Sequence, residues 1–121
     1  MTKVVRDSEL PVIKVGDIAT RRSMRGTNLL IARYEVKAGN HFENHVHPEE
    51  QMGYVIAGRI EFRIGPKLKP VIFEPGTFFH FSPNERHDSL VLEDAVVIDV
   101  FSPPRPELAK EALAAEDGIW S

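Results

Sequence analysis

The sequence contains no cysteine, which excludes a disulfide framework, a thiolate metal site and a cysteine nucleophile. It has no apolar run long enough to cross a membrane, and its first residues lack the apolar core of a signal peptide. Its charge is not of one sign, because 15 Lys and Arg are interspersed with 18 Asp and Glu. Without a basic stripe, neither nucleic acid nor a membrane is an expected partner, and the cytoplasm is the expected location.

The sequence is instead rich in short β-strand patterns separated by turns. Residues 59–64 alternate, with Ile60, Phe62 and Ile64 on one face and charged residues on the other, which is typical of a half-buried strand. Gly58, between this run and the run at 52–57, indicates a hairpin. Further strands are predicted at 29–36, 71–73, 78–81, 89–92 and 95–101. The pattern predicts an all-β barrel or sandwich, and the length of 121 residues suits one domain over residues 1–121.

The two ends of the chain carry different signals. Residues 107–116 are rich in strong helix formers and follow a proline-rich stretch, which predicts a short C-terminal helix. Trp120 is interpreted as a docking plug or a dimer contact. The N-terminal segment through Ile18 is expected to add an edge strand. Such edges invite pairing with a second subunit, so we expect a homodimer formed through the N-terminal strands.

Two histidines two residues apart, His45 and His47, are the first candidate metal ligands. Strand side chains alternate between faces, so the two imidazoles point the same way. A Pro-Glu-Glu turn then brings in Gln51, and a later strand brings in His87. Imidazole and carbonyl ligands suit several transition metals. The sequence therefore predicts one divalent ion, Zn, Ni, Mn or Fe, held by these four residues.

A carboxylate interrupts the apolar strand at 95–101. Asp99 shares its strand face with Val97 and Phe101, and such a group is costly unless it is paired or functional. Its pKa can rise into the range of a general acid or base. Arg105 could pair with Asp99 or grip a substrate carboxylate. The alternative is a structural Asp99 and a solvated Arg105; beside a metal site, we predict that both contribute to catalysis.

The histidine run resembles the first motif of the cupins, G-x5-H-x-H-x3-E-x6-G. Four residues fall in register with it, namely Gly39, His45, His47 and Gly58. Gln51 stands where glutamate is usual. A slip of one residue would make Glu50 the ligand and restore a carboxylate, but the six residues before Gly58 favour Gln51.

A second stretch resembles the second cupin motif. It begins at Pro75 and Gly76 and ends on His87 after a proline-containing turn, with Thr77 where an acidic residue is usual. Both motifs in order, about thirty residues apart, are a specific signal. The resemblance implies the cupin double-stranded β-helix, a jelly-roll barrel, and it implies dimerisation through edge strands.

The chain is also similar to the small cupins of the pectin-degradation KdgF type, in residues 99–105 and in the run from His45 to Gln51. That family uses a three-His, one-Gln metal to open the ring of unsaturated uronates. The resemblance implies that Asp99, Phe101 and Arg105 line the active site, with Phe101 and Arg105 contacting substrate. The His-x-His-Pro-x-x-Gln pattern is likewise similar to cupin isomerases.

The proposed ligand set also bears on the reaction class. Three neutral imidazoles and a neutral amide leave the +2 charge of the ion uncompensated, which favours polarisation of a carbonyl over oxygen activation. We therefore expect a metal-dependent isomerisation, tautomerisation or ring opening of a small carboxylated carbonyl compound or sugar acid. The alternatives are a metal-dependent dioxygenase or lyase and a non-catalytic cupin that binds a small ligand.

Overall fold

The chain forms an all-β fold, here seen in a computed structural model that describes residues 2–115. Within this range a 3-10 helix, nine strands and one α-helix follow in order. The elements are the 3-10 helix Asp7–Glu9, β1 (Ile13–Lys14), β2 (Ala19–Arg25), β3 (Leu30–Val36), β4 (His41–His45), β5 (Glu50–Ile64), β6 (Lys69–Phe73), β7 (Phe78–Phe81), β8 (His87–Ser102), α1 (Pro106–Ala109) and β9 (Leu113–Ala114). The predicted all-β jelly-roll class with a short C-terminal helix is confirmed.

Two long strands, β5 and β8, organise the sheet. They pair with each other antiparallel over almost their whole lengths. The first part of β8 also pairs with β4 and its second part with β3, while β5 also pairs with β7 and then β6. The order β1-β2-β3-β8-β5-β6 therefore brings inward-facing residues of distant segments to one interior.

The hairpin predicted at Gly58 is wrong, because residues 50–64 form one continuous strand. The register with β8 shifts around Ala57 and Arg59, so Gly58 lies in a β-bulge that bends the strand. Gly58 has a φ of +84°, and a Cβ there would collide with the backbone of Asp94 and Ala95. Only glycine suits both demands. The predicted strands at 89–92 and 95–101 likewise belong to one strand, β8.

The barrel interior holds two apolar clusters. The larger includes four aromatic rings with neighbouring centroids 4.3–5.7 Å apart, from Phe62, Phe73, Phe79 and Phe81. Each fully buried side chain of this size contributes roughly 1.5–3 kcal/mol. The alternation of β5 accounts for the arrangement, since its apolar residues face inward as predicted.

The second cluster joins the C-terminal segment to the sheet. Leu108 of α1 is buried against Leu30, Ala32 and Phe101. The predicted helix at 107–116 is too long, because α1 ends at Ala109 and the chain then forms β9, which pairs in parallel with β2. The alanine-rich segment offers little apolar area for a long helix, whereas β2 offers an open edge to β9. Glu116 and Trp120 lie outside the described residues.

The expected N-terminal edge strand is present as β1, which pairs with β2 through Ile13 and Lys14. Homodimer formation through this edge stays a prediction. Among residues 2–115, no helix is long and apolar enough to span a membrane.

Candidate functional site

The three candidate ligand histidines meet where β4 and β8 pair. His45, the last residue of β4, lies opposite His87, the first residue of β8, and their rings stack with centroids 5.8 Å apart. His47 lies just beyond β4, and its ring meets that of His87 edge-on at 5.3 Å. His47 and His87 are both buried. The structure therefore brings His87 beside His45 and His47, although His87 lies 42 positions after His45 in the sequence.

Backbone carbonyl groups fix the orientation of two of these rings. His47 Nδ1 lies 2.9 Å from the carbonyl oxygen of Glu49, and His87 Nδ1 lies 2.9 Å from that of Glu85. A carbonyl oxygen only accepts, so each Nδ1 must carry the proton. In the neutral rings each Nε2 then bears a lone pair, which is the arrangement of metal-binding histidines.

Gln51 connects this histidine group to Asp99. Its Nε2 donates a hydrogen bond to Asp99 Oδ1 at 3.1 Å, so the carbonyl oxygen Oε1 must point the other way. That oxygen lies 3.2 Å from His47 Nε2. With His47 neutral, two lone-pair atoms face each other without a proton between them. This arrangement is unfavourable unless a cation or a water molecule lies in front of both atoms.

The donor set therefore fits a divalent transition metal in the type of its ligand atoms. Three imidazoles and one carbonyl oxygen suit Zn, Ni, Mn or Fe, and Gln51 rather than Glu50 faces the histidines. Glu50 instead pairs with His80 at 2.6 Å. As the side chains of residues 2–115 stand, no three His, Asp or Glu groups are close enough to hold an ion unaided. The role of these four residues as ligands stays a prediction.

Burial shifts the pKa values of the ionisable groups at this site. Burial lowers the pKa of His87 to about 4, and it lowers the pKa of His45, with a further lowering from Arg105 and His47. Both imidazoles are therefore neutral near pH 7, as ligation requires. Burial raises the pKa of Asp99 to about 7, against the opposing effects of the Gln51 hydrogen bond and Arg105.

A cavity of about 190 Å³ opens beside the histidines. This volume is small for a ligand pocket and suits a small metabolite. Its wall includes six of the seven residues predicted for the site, namely His45, Gln51, His87, Asp99, Phe101 and Arg105. The seventh, His47, does not line the cavity, but its ring centroid lies 5.7 Å from that of Phe101. The structure thus gathers all seven around one space.

Arg105 is held over the aromatic wall of this cavity. Its guanidinium carbon lies 5.2 Å from the ring centroid of Phe101, a cation–π distance. Its ion-pair partner is Glu107, which accepts from Arg105 Nη2 at 2.7 Å, and not Asp99. The alternative of a solvated tail residue is disfavoured, since the Arg105 side chain is only 15% exposed.

Sequence reasoning did not predict two polar residues of the cavity wall, Arg21 on β2 and Tyr34 on β3. They lie directly opposite each other in the antiparallel pair. The alternation of β3 was a usable signal, because Ala32, Tyr34 and Val36 share a face with buried residues. The pairing that carries Arg21 to the same face depends on strand register, which the sequence does not specify.

A family match and several solved structures are similar to this chain. Residues 32–101 match the family model described as a cupin domain. No curated protein matches the chain. The fold is similar to that of KdgF from Halomonas sp., with 24% identity and a TM-score of 0.80, covering 89% of this chain and 99% of that one.

Two further solved structures share the fold. The polyketide cyclase RemF from Streptomyces resistomycificus is 19% identical with a TM-score of 0.74, covering 88% of this chain and 82% of that chain. The oxalate decarboxylase of Bacillus subtilis, described with Mn(II) centres, is 23% identical with a TM-score of 0.71, covering 84% of this chain and 29% of that chain. At these identities the likeness concerns the fold. Because the family match spans more than half of the sequence, the chain belongs to the cupin family.

Proposed function

We propose that this cupin is a metal-dependent enzyme that isomerises, tautomerises or opens the ring of a small carboxylated carbonyl compound. An unsaturated uronate is the first substrate class to test, given the likeness to KdgF. The observation that carries the proposal is the contact from His47 through Gln51 to Asp99, which joins the candidate metal ligands to a buried carboxyl group at the cavity wall.

The ligand set supports a non-redox reaction. His45, His47, Gln51 and His87 are neutral donors, so they would leave the charge of a divalent ion uncompensated. When bound, such an ion would polarise a carbonyl oxygen of the substrate. The oxalate decarboxylase, which has a similar fold, is described with Mn(II) centres, and this supports a metal on this fold.

Asp99 is the residue that we assign to proton transfer. Isomerisation at a carbonyl requires a proton to move between oxygen and carbon, and a ligating imidazole nitrogen is not free to carry it. Asp99 lines the cavity, while its Oδ1 accepts from Gln51. A carboxyl group held in this way can accept a proton from the substrate and return it without moving the backbone.

Arg105 and Phe101 provide the binding surface. The guanidinium edge can hold a substrate carboxylate in a two-point contact. The ring of Phe101 lies at a cation–π distance from the guanidinium. Phe101 is buried, so it also excludes water from that wall of the cavity. Glu107 is largely exposed, so a substrate carboxylate can replace it as the partner of Arg105.

The test is an anaerobic activity assay of the full-length protein against an unsaturated uronate and a panel of related keto acids. We expect conversion without oxygen, with the product at the same oxidation level as the substrate. Oxygen consumption coupled to turnover would instead assign a dioxygenase. Tight binding of panel members without conversion would assign a ligand-binding cupin, and either result would overturn the proposal.

A further inference from the structure

The cavity has two arginines, and only one of them takes part in the function proposed above. Arg21 enters from β2 and lines the cavity together with Tyr34 of β3. Arg21 Nη1 donates a long hydrogen bond of 3.5 Å to the Tyr34 hydroxyl, and its guanidinium carbon lies 5.9 Å from the ring centroid. The Arg21 side chain is only 15% exposed. A cation this buried requires an anionic partner.

Both cavity arginines are neutralised by the same short C-terminal segment. Glu107, in α1, pairs with Arg105, and Glu111, two residues before β9, pairs with Arg21. The two carboxylates are four residues apart, and Glu107 itself lines the cavity. In the free protein, therefore, each cavity arginine is paired with a carboxylate of this segment.

We propose that Arg21 and Tyr34 form a second anion-binding subsite, so that the substrate is a small acid with a carboxylate at each end. This inference rests on the proposed function and narrows its class of small carboxylated carbonyl compounds to dicarboxylates; a uronate, which has one carboxylate, would fill only the Arg105 position. One carboxylate binds Arg105 and the other binds Arg21. Glu107 and Glu111 hold these positions when no substrate is present and give way when it binds.

The chemistry of Tyr34 supports this assignment. Burial raises the pKa of its phenol and Asp99 raises it further, while Arg21 and Arg105 oppose the shift. The hydroxyl is therefore neutral near pH 7. Because it accepts from Arg21, its own proton can be donated to a ligand oxygen. Arg21 and Tyr34 together thus offer hydrogen-bond donors to both oxygens of one carboxylate. They do so in the cavity that Asp99 and Arg105 also line.

The test compares two probes of equal chain length, succinate with two carboxylates and butyrate with one. Calorimetry on the full-length, metal-containing protein measures their binding without turnover. We expect succinate to bind more tightly than butyrate. Arg21→Met should weaken the binding of succinate by about tenfold or more, since a charged hydrogen-bonding partner is lost. The affinity for butyrate should not change. Glu111→Gln should strengthen the binding of succinate, because the substitution removes the competing carboxylate.

The two variants break the same ion pair, so a purely structural role predicts the same direction of change for both. Arg22→Met is the matched control, because Arg22 is the next residue of β2 and pairs with Asp7 on the outside. Elemental analysis of each variant establishes that the metal content is equal. The inference is overturned if the wild-type protein does not bind succinate more tightly than butyrate, or if Arg21→Met and Glu111→Gln both weaken the binding of succinate. A failed uronate assay would leave these binding results unaffected, so the two proposals fail separately.

Discussion

Gln51 donates a hydrogen bond to Asp99, and this bond turns the carbonyl oxygen of Gln51 toward His47. One side chain therefore serves two groups: its nitrogen satisfies the carboxyl group and its oxygen completes the candidate ligand set. A glutamate at position 51 would have no proton to donate to an ionised Asp99. The amide of Gln51, at a position where cupins usually have a glutamate, therefore suits its hydrogen-bond partner Asp99.

Gln51→Glu should keep the metal and reduce activity. The added negative charge binds a divalent ion at least as well but lowers its ability to polarise a carbonyl. It also places a second carboxyl group against Asp99, so one of the two must be protonated. Metal analysis and a kcat measurement on the same sample test both parts. A gain of activity with the same metal would show that the charge argument is wrong.

Asp99→Asn should lower kcat by about 10² to 10⁴ on the true substrate, because it removes the group that transfers the proton and nearly preserves its shape. The metal content should not change. Asp88→Asn is a suitable control, since Asp88 is also a buried aspartate of β8 but does not line the cavity. Near-wild-type kcat in Asp99→Asn would assign Asp99 a structural role.

The metal-free protein should lose stability as the pH rises from about 4 to about 7, through Asp99. The folded state holds a proton on Asp99 up to about pH 7, whereas the unfolded state releases it near 3.8. The folded state thus binds more protons in this window, and the free energy of unfolding falls with pH. We expect this loss to be on the order of 2–4 kcal/mol.

The histidines act in the opposite direction, because the lowered pKa values of His45 and His87 make stability rise over the same window. Comparing wild type with Asp99→Asn isolates the aspartate. Urea denaturation of both metal-free proteins at pH 4.5 and pH 8 should show a gain for the variant at the higher pH only. An equal difference at both pH values would contradict a protonated Asp99.

Gly58→Ala should destabilise the protein by more than about 3 kcal/mol, since it combines a positive φ with a collision against β8. Gly65→Ala is the matched control. Gly65 has a φ of +78° but open space around its Cβ position, so only the backbone cost of about 1 kcal/mol applies. Urea denaturation measures both values. Equal losses would mean that the bulge at Gly58 tolerates a side chain.

The sequence predicted the fold class and the shared face of His45 and His47 because both depend on local spacing. His45 and His47 are two residues apart, and the strand alternation that buries Ile60 and Phe62 is visible in any short window. The prediction of a hairpin at Gly58 failed, because a glycine between two strand patterns suits a bulge as well as a turn. Only the packing against Ala95 distinguishes the two.

The remainder of the site depends on strand pairing. Arg21 and Tyr34 reach the cavity because β2 pairs with β3, which in turn pairs with the strand that carries Asp99. Pairing partners far apart in sequence are set by the whole sheet and not by any local pattern. The C-terminal helix was predicted too long for a similar reason, since the pairing of β9 with β2 overrides helix propensity.

The central claim is that one divalent ion is held by the three histidines and Gln51. Elemental analysis of protein purified without added metal tests it most directly, with His47→Ala and His80→Ala compared at equal protein concentration. His80 is exposed and pairs with Glu50, outside the ligand set. We predict about one equivalent of metal per chain in wild type and in His80→Ala, and its loss in His47→Ala. Full metal content in a folded His47→Ala protein would contradict the account.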